Sequence, residues 1–190
     1  MVGRRMGPPD APVRFKLLDA TERVLMREGY PAVTSRNVGL EAGVDQKLVY
    51  YYFRTIEELV VATFKRRSED FLTNLEDIAK SSTPVRDLWA LSTDKSGRLI
   101  IAFMGMASRN AALLEEVARY KARANEIIEG IFSRCLSRTQ LDHNVITPRF
   151  LNFVVASMAL SLIVEGGLGL LDTEQDIQKS IEHCLHILEG

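Results

Sequence analysis

Apolar residues recur at intervals of three and four along the chain, and almost no segment shows the alternation typical of a strand. This pattern predicts an all-α protein. In the first part of the chain, Gly29 and Gly43 end helices, while Thr34, Asp45 and Thr55 can cap the helices that follow them. The predicted helices run from about 13 to 28, from about 35 to 42, for about seven residues after Asp45, and from Thr55 to near Ser81.

The remainder of the chain continues the helical pattern. Two Thr-Pro pairs, Thr83-Pro84 and Thr147-Pro148, place a capping residue before a proline at the first helical position, which is a strong start signal. Thr173 can cap a last helix. The predicted helices start at Pro84, cover Lys95–Ser108 with a break or bend near Gly97 and Gly105, cover Asn110 to about Ser137, and cover about 148–171 and 173–189.

The second and third helices are short and are joined by a turn through Gly43 and Val44, which predicts a helix-turn-helix. A glycine in the turn accepts a positive φ, and an apolar residue beside it can fill the gap between the two helices. We therefore expect a flexible arm over 1–12, a three-helix domain over 13–60 and a larger helical domain over 61–190.

The third helix carries the most unusual composition in the chain. At 100° per residue, Val49 and Phe53 fall on one side and belong in the core, with Tyr52 at the rim. The opposite side carries the polar and aromatic residues Gln46, Lys47, Tyr50 and Tyr51. Such a face is unusual unless it meets a partner, and phosphate oxygens and base edges accept hydrogen bonds from these side chains.

Charge supports this interpretation weakly. Residues 1–67 carry twelve Lys/Arg against eight Asp/Glu, a net charge of +4, so a chain total of −1 leaves −5 on the rest. A basic first third favours a polyanionic partner. Arg4, Arg5, Arg14 and Lys16 form either a solubilising tail or an arm that follows a DNA backbone or minor groove.

The segment TSRNVGLEAGVDQKLVYYYFRTIEEL, residues 34–59, resembles the DNA-binding segment of the TetR family of bacterial transcriptional regulators. The resemblance covers roughly residues 13–65 and includes Ala-Gly-Val at 42–44, an aromatic pair at 52–53 and Glu-Glu-Leu at 57–59. It implies an N-terminal DNA-binding domain and a helical C-terminal domain that dimerises and binds a small ligand. The residues expected to meet DNA are Thr34, Ser35, Arg36, Gln46, Lys47, Leu48, Tyr50, Tyr51, Tyr52 and Arg54.

Within this resemblance, Gln46, Lys47 and Leu48 would read bases, and Tyr50 and Tyr52 would hold phosphates. Thr34, Ser35 and Arg36 would meet the backbone, with Arg36 also able to reach a base. Three positions depart from the family pattern. They are Ile56 in place of a phosphate-binding Lys, whose role Arg54 can take over; Leu48 in place of a small or polar residue; and Gly39 in place of Ala.

The helix at about 148–171 is apolar on nearly every side and is almost long enough to span a bilayer. It also contains Asn152, Ser157, Ser161 and Glu165, which favour a buried or interface helix over a membrane span. A helix that is apolar all round must be covered all round. We therefore expect a homodimer through the helices at about 148–171 and 173–189, and no membrane partner.

A small apolar effector is expected to bind within the second domain, in a cavity with a few polar groups. Packing is the competing explanation for the same Met and Phe residues. The candidate lining residues are Trp89, Phe103, Met104, Met106, Arg109, Tyr120, Phe132, Asn152, Phe153, Ser157, Met158, Leu162 and Ser161.

Other chemistry is poorly supported. His183 and His186 can share a helix face, but Cys184 falls partly off it and the sequence fixes no carboxylate nearby, so we expect no metal site. No nucleophile–base arrangement or phosphate-binding loop indicates an enzyme or a cofactor. Two distant cysteines and no apolar stretch after the basic N-terminus favour a cytoplasmic protein. The open alternatives to a ligand-responsive repressor on a palindromic operator are an all-α enzyme and a helix-turn-helix module that binds protein partners.

Overall fold

The computed structural model describes residues 7–170 and 174–189, and these residues form helices with no strand among them. The predicted all-α fold is confirmed. The helices are α1 Pro12–Glu28, α2 Ser35–Ala42, α3 Lys47–Tyr52, α4 Ile56–Ile78, α5 Pro84–Thr93, α6 Lys95–Ala107, α7 Ala111–Leu136, α8 Pro148–Leu168 and α9 Glu174–Glu189, with a short 3-10 turn at Tyr30–Ala32.

Most predicted helix ends coincide with observed caps. The Thr34 hydroxyl accepts a hydrogen bond from the Asn37 backbone N–H at 3.2 Å, and the Thr147 hydroxyl accepts one from the Phe150 N–H at 3.1 Å. Gly43 ends α2 in the left-handed conformation, with φ of 67°. These contacts satisfy backbone groups that a helix end otherwise leaves unpaired. The predicted cap Thr173 and residues 1–6 of the predicted arm lie outside the described residues.

The predicted break in the sixth helix is wrong. α6 runs without interruption through Gly97 and Gly105. Gly97 instead allows α6 to pack closely against the end of α5, because a Cβ at this position would lie 2.0 Å from the carbonyl oxygen of Ser92. The Asp94 carboxylate accepts the Gly97 N–H at 3.0 Å and starts the helix.

The first of two compact units contains the described residues up to Ser68 together with Ala102–Ala118. Its core includes Phe64 and Phe103, which are fully buried and pack edge to face with ring centroids 5.5 Å apart. Inside this unit the Glu22 carboxylate, 9% exposed as a residue, accepts hydrogen bonds from Arg66 and Arg67. α4 passes residue 60 as a continuous helix, so the domain boundary at 60/61 stays a prediction.

The second compact unit contains Glu69–Ile101 and the described residues from Arg119 onward. Phe71 and Tyr120 pack edge to face at 6.0 Å, and burial raises the pKa of the Tyr120 hydroxyl. The Glu189 carboxylate in α9 accepts the backbone N–H groups of Val85 and Arg86 at 3.1 and 2.9 Å. It therefore caps the first turn of α5 from the far end of the sequence.

Candidate nucleic-acid interface

The turn between α2 and α3 is tightly hydrogen-bonded. The Gly43 N–H donates to the Leu40 carbonyl at 3.1 Å, and the Val44 N–H donates to the Gly39 carbonyl at 2.9 Å. The Asp45 carboxylate then accepts the Lys47 N–H at 2.8 Å, as a capping residue does. The local hydrogen bonds thus produce the expected helix-turn-helix, with the direction of α3 fixed at its first residue.

Gly39 brings α2 unusually close to the beginning of α3. A Cβ at this buried position would lie 3.1 Å from the Gln46 Cα and 3.1 Å from the Val44 carbonyl oxygen. Real Cβ atoms rarely approach other atoms so closely, so a methyl group here requires a small shift of the turn. The glycine that departs from the family pattern therefore sets where Gln46 sits.

The two sides of α3 differ as the helical wheel predicts. Val49, Tyr52 and Phe53 are 0%, 8% and 3% exposed. The other side carries Gln46, Lys47, Tyr50 and Tyr51, all exposed, and we call this set the outer face. Because the anchoring side chains are buried, the outer face is presented by a rigidly held helix.

Two residues of α3 that are predicted to contact DNA are less exposed to solvent than the outer face. The Tyr52 ring is buried and packs edge to face on Tyr51 at 5.0 Å between centroids. Leu48 is half-buried. A phosphate contact through Tyr52 would thus use only its hydroxyl rim, and the role of Leu48 stays a prediction.

The predicted contacts at the start of α2 are accessible. Thr34 and Arg36 are exposed and Ser35 is half-buried. The Thr34 hydroxyl already accepts the Asn37 N–H, which leaves its own O–H available as a donor. Their assignment to the DNA backbone stays a prediction.

The start of α4 offers another set of groups. The Thr55 hydroxyl accepts the Glu58 N–H at 3.1 Å, and the Glu58 carboxylate accepts the Arg54 N–H at 3.0 Å. This reciprocal pattern closely resembles a capping box. Arg54 is exposed while Ile56 is half-buried, and the use of Arg54 for the cation absent at position 56 stays a prediction.

One neighbour of the outer face was missed by the sequence reasoning. The Gly7 N–H donates to the Tyr51 carbonyl at 3.1 Å, and the Arg14 guanidinium lies 5.0 Å from the centroid of the Phe53 ring. Arg14 also donates to the Pro9 carbonyl at 3.4 Å. Gly7 followed by two prolines was the only available sequence signal, and it does not specify a contact with tyrosines more than forty positions later.

The candidate effector residues fall in both compact units. Phe103, Met104, Met106 and Arg109 belong to the first unit and the others to the second. Phe103 and Phe132 are fully buried, whereas Phe153 is 70% exposed. Asn152 is buried and donates to the Asn125 side chain at 3.1 Å. Of the remaining candidates, Tyr120 is buried, Trp89, Met106, Met158 and Leu162 are half-buried, and Met104, Arg109, Ser157 and Ser161 are exposed. The lining of an effector site stays a prediction.

α8 exposes a long apolar stripe. By length and composition it is the one described helix that could cross a membrane. Asn152, Val155 and Ala159 are buried on one side of it. The opposite side falls within roughly 80° of arc and contains Phe150, Phe153, Leu160, Val164 and Leu168, all exposed. We call these five residues the α8 stripe.

Among the described residues, no group of three or more His, Cys, Asp or Glu side chains is arranged to hold a metal ion. His183, Cys184 and His186 are all exposed on α9. Cys135 is buried, and desolvation raises the pKa of its thiol.

Comparison with known proteins relates the helix-turn-helix region to bacterial regulatory proteins. Residues 17–63 match the family profile of bacterial regulatory proteins of the tetR family. The chain is 23% identical over 120 residues to the Fatty acid metabolism regulator protein of Bacillus subtilis (strain 168). It is 33% identical over 75 residues to the HTH-type transcriptional regulator PksA of the same organism.

These alignments cover 63% and 40% of the chain, which spans only 62% and 34% of the lengths of the two relatives. The fold extends further. The crystal structure of FadR from Bacillus subtilis in complex with stearoyl-CoA superposes with a TM-score of 0.64 at 16% identity, covering 93% of this chain and 97% of that one. The helix-turn-helix region thus matches the profile of the tetR family of bacterial regulatory proteins, and the chain shares its fold with the solved FadR structure.

Proposed function

We propose that this chain is a DNA-binding transcriptional regulator that acts as a homodimer, represses transcription from a palindromic operator and responds to a small apolar effector. The observation that carries the proposal is the outer face. Gln46, Lys47 and Tyr50 stand exposed on a helix whose other side is anchored by Val49 and Phe53. The match of residues 17–63 to the tetR family profile supports the same function.

The chemistry of the outer face favours DNA over a protein partner. Lysine, glutamine and tyrosine side chains donate hydrogen bonds to phosphate oxygens, and Gln and Lys also pair with base edges in the major groove. A face built to bind another protein would place apolar residues at its centre, where this one has Lys47. An enzyme is the weaker alternative, since the family is one of regulatory proteins.

The α8 stripe supports the homodimer. Five exposed apolar side chains on one helix form the kind of patch that marks an interaction site. A second copy of the chain would cover the stripe with an identical one, and a two-fold dimer would present two recognition helices to half-sites about 34–36 Å apart. An interface helix also accounts for the composition of α8 without a membrane, in a cytoplasmic protein.

The proposed effector is apolar and binds within the C-terminal part of the chain. A structural neighbour that shares the fold was crystallised with stearoyl-CoA, and a curated relative is named for fatty acid metabolism. Long-chain acyl compounds are therefore the first effectors to test. An effector changes operator affinity only if it binds the DNA-binding conformation and the non-binding conformation of the protein with different affinities.

The test begins with selection of DNA sites from a random pool by the purified protein, followed by fluorescence anisotropy on the selected site. Lys47→Ala with Tyr50→Ala removes one charge and one hydroxyl from the outer face, and operator affinity should fall by at least about 30-fold since each good contact contributes ~1–3 kcal/mol. Lys80→Ala, an equal charge change at an exposed position just after α4 in the second unit, should leave affinity unchanged.

The outcome also decides between the alternatives. If the wild-type protein selects no DNA sequence and shows no salt-sensitive DNA binding, the proposal that it is a transcriptional regulator is wrong. If the double variant binds the operator as well as wild type does, the protein is a regulator but α3 is not its recognition helix. Addition of long-chain acyl-CoA to the wild-type complex then measures whether an effector releases or strengthens DNA binding.

A further inference from the structure

Lys121 in α7 differs from two other cations of the same helix. Arg123 donates to two carboxylates at 2.9 and 3.1 Å, and Arg134 donates to a backbone carbonyl at 2.7 Å. Lys121 is half-buried, yet within the described part of the chain its ammonium has neither an ion pair nor a hydrogen bond. Burial lowers the pKa of the Lys121 ammonium, because the charge loses hydration without gaining an opposite charge. The folded chain thus partly dehydrates a cation and does not compensate it.

Asn125 lies beside Lys121 and supplies further donors. The two residues are neighbours on one side of α7, since positions i and i+4 of a helix are one turn apart. The Asn125 side-chain oxygen accepts a hydrogen bond from the Asn152 amide at 3.1 Å, so this side of α7 faces α8. The same bond leaves the amide N–H groups of Asn125 available, and none of the described residues accepts them. We call Lys121 and Asn125 the donor pair.

The donor pair lies at one end of an apolar layer. Continuing along the same side of α7 at intervals of three and four, the next residues are half-buried Ile128 and fully buried Phe132. On α8, Val155 is buried one turn after Asn152. Sites for small molecules are mostly apolar and contain a few polar groups that fix the orientation of the ligand. The donor pair and this layer fit a ligand with an apolar chain and a polar head.

We propose that the donor pair binds the head group of the effector, and that the effector is a long-chain amphiphile with a single negative charge, such as a free fatty acid. The inference rests on the proposed function and names the polar end of its effector. A carboxylate would supply the opposite charge that Lys121 lacks, and its second oxygen can accept a hydrogen bond from the Asn125 amide.

The charge of the site favours a free acid over a coenzyme A ester. The head of an acyl-CoA carries several phosphate charges, which require several cations. α7 is described over its whole length, and Lys121 is the only cation on the side that carries Asn125 and Phe132. By helical spacing, Arg123 and Arg134 lie on the far side. One ammonium matches one carboxylate.

The test measures binding of tetradecanoate, tetradecanol and tetradecanoyl-CoA to the full chain by isothermal titration calorimetry. Wild type should bind tetradecanoate more tightly than either of the others. Lys121→Met removes the charge at similar side-chain length, so tetradecanoate affinity should fall roughly 10- to 100-fold, as expected for a hydrogen bond between charged groups, while tetradecanol affinity stays the same. Lys80→Met, at an exposed position of the same unit, should bind all three compounds as wild type does.

A second variant neutralises Lys121 without removing it. Asn125→Asp keeps the oxygen that accepts the Asn152 amide and places a carboxylate one turn from the ammonium. This carboxylate should pair with Lys121 in place of the ligand, so tetradecanoate affinity should fall while tetradecanol affinity stays the same. The variant adds an ion pair and should resist urea as well as wild type does, so it tests the proposal even where Lys121→Met folds poorly.

The outcomes separate the proposal from its rivals. Tetradecanoate binding that neither variant weakens would overturn it, and so would wild-type protein that binds tetradecanol as tightly as tetradecanoate or binds none of the three compounds. Tightest binding of the CoA ester would overturn the assignment of a single charge. None of these results bears on DNA-site selection, whose failure in wild-type protein would instead refute the proposed function.

Discussion

α3 and α8 each expose a face that a folded chain would not need for its own stability, but the two faces have opposite chemistry. On α3 the exposed groups are a lysine, a glutamine and two tyrosines. On α8 the stripe consists of aromatic and aliphatic side chains, and the small hydroxyl of exposed Ser157 also lies within its arc. The helices also differ on their hidden sides, since the outer face is backed by fully buried anchors and the α8 stripe by a polar hydrogen bond through Asn152.

The contrast shows what an exposed face says about its partner. Polar and charged groups that stay in contact with water cost the free chain little, so they point to a partner that is itself polar, such as a phosphate backbone. An apolar stripe is unfavourable in water, so it points to a partner that removes it from water, such as a second copy of the chain. The first kind of site tolerates dissociation from its partner, and the second favours permanent association.

The largest expected effect comes from the hidden side of α3. Phe53→Ala removes a 3% exposed ring and should reduce the free energy of unfolding by about 3–5 kcal/mol. Tyr50→Ala, on the exposed side, should change it by less than about 0.5 kcal/mol while weakening DNA binding. Urea denaturation of both variants at one protein concentration measures the difference. Equal losses of stability would mean that the outer face also belongs to the core.

The next effect concerns the α8 stripe. Phe153→Asp with Val164→Asp places two carboxylates on it, and burial of unpaired charges costs several kcal/mol, so the dimer dissociation constant should rise by at least about 100-fold. Sedimentation equilibrium measures the mass. Ala122→Asp with Ser133→Asp, at exposed positions of α7, is the matched control and should remain dimeric. A dimer that survives the stripe variant uses another surface.

The smallest effect concerns the junction between α2 and α3. Gly39→Ala improves helix propensity by up to about 1 kcal/mol, but its methyl group would press on Gln46 and Val44. We expect the free energy of unfolding to change by less than about 1 kcal/mol while operator affinity falls by up to about 10-fold. Paired denaturation and anisotropy measurements separate the two. Unchanged DNA affinity would show that the close approach does not position the recognition helix.

The helix-turn-helix was predictable because each signal in it is local. Thr34 caps within three residues, Gly43 accepts the left-handed turn, and the wheel separates Val49 from Lys47 without any tertiary information. The predicted caps Thr55 and Thr147 were correct for the same reason.

The rest could not be predicted since it depends on residues that are distant in sequence. Gly97 looked like a helix breaker, and only its approach to Ser92 explains it. The burial of Glu22 between Arg66 and Arg67 joins residues more than forty positions apart. The contact of Gly7 with Tyr51 and Tyr52 leaves no periodic signal in the sequence. The lining of an effector site depends on side-chain positions, which a pattern of apolar residues does not specify.

The carboxylate of Glu189 bears on how the protein can be handled. It accepts two backbone N–H groups at the start of α5, over a hundred positions earlier. Trimming the last turn of α9 would leave those donors unpaired and would loosen a helix in the middle of the sequence. An affinity tag placed directly after Glu189 would therefore disturb the hydrogen bonds that this residue makes to the start of α5.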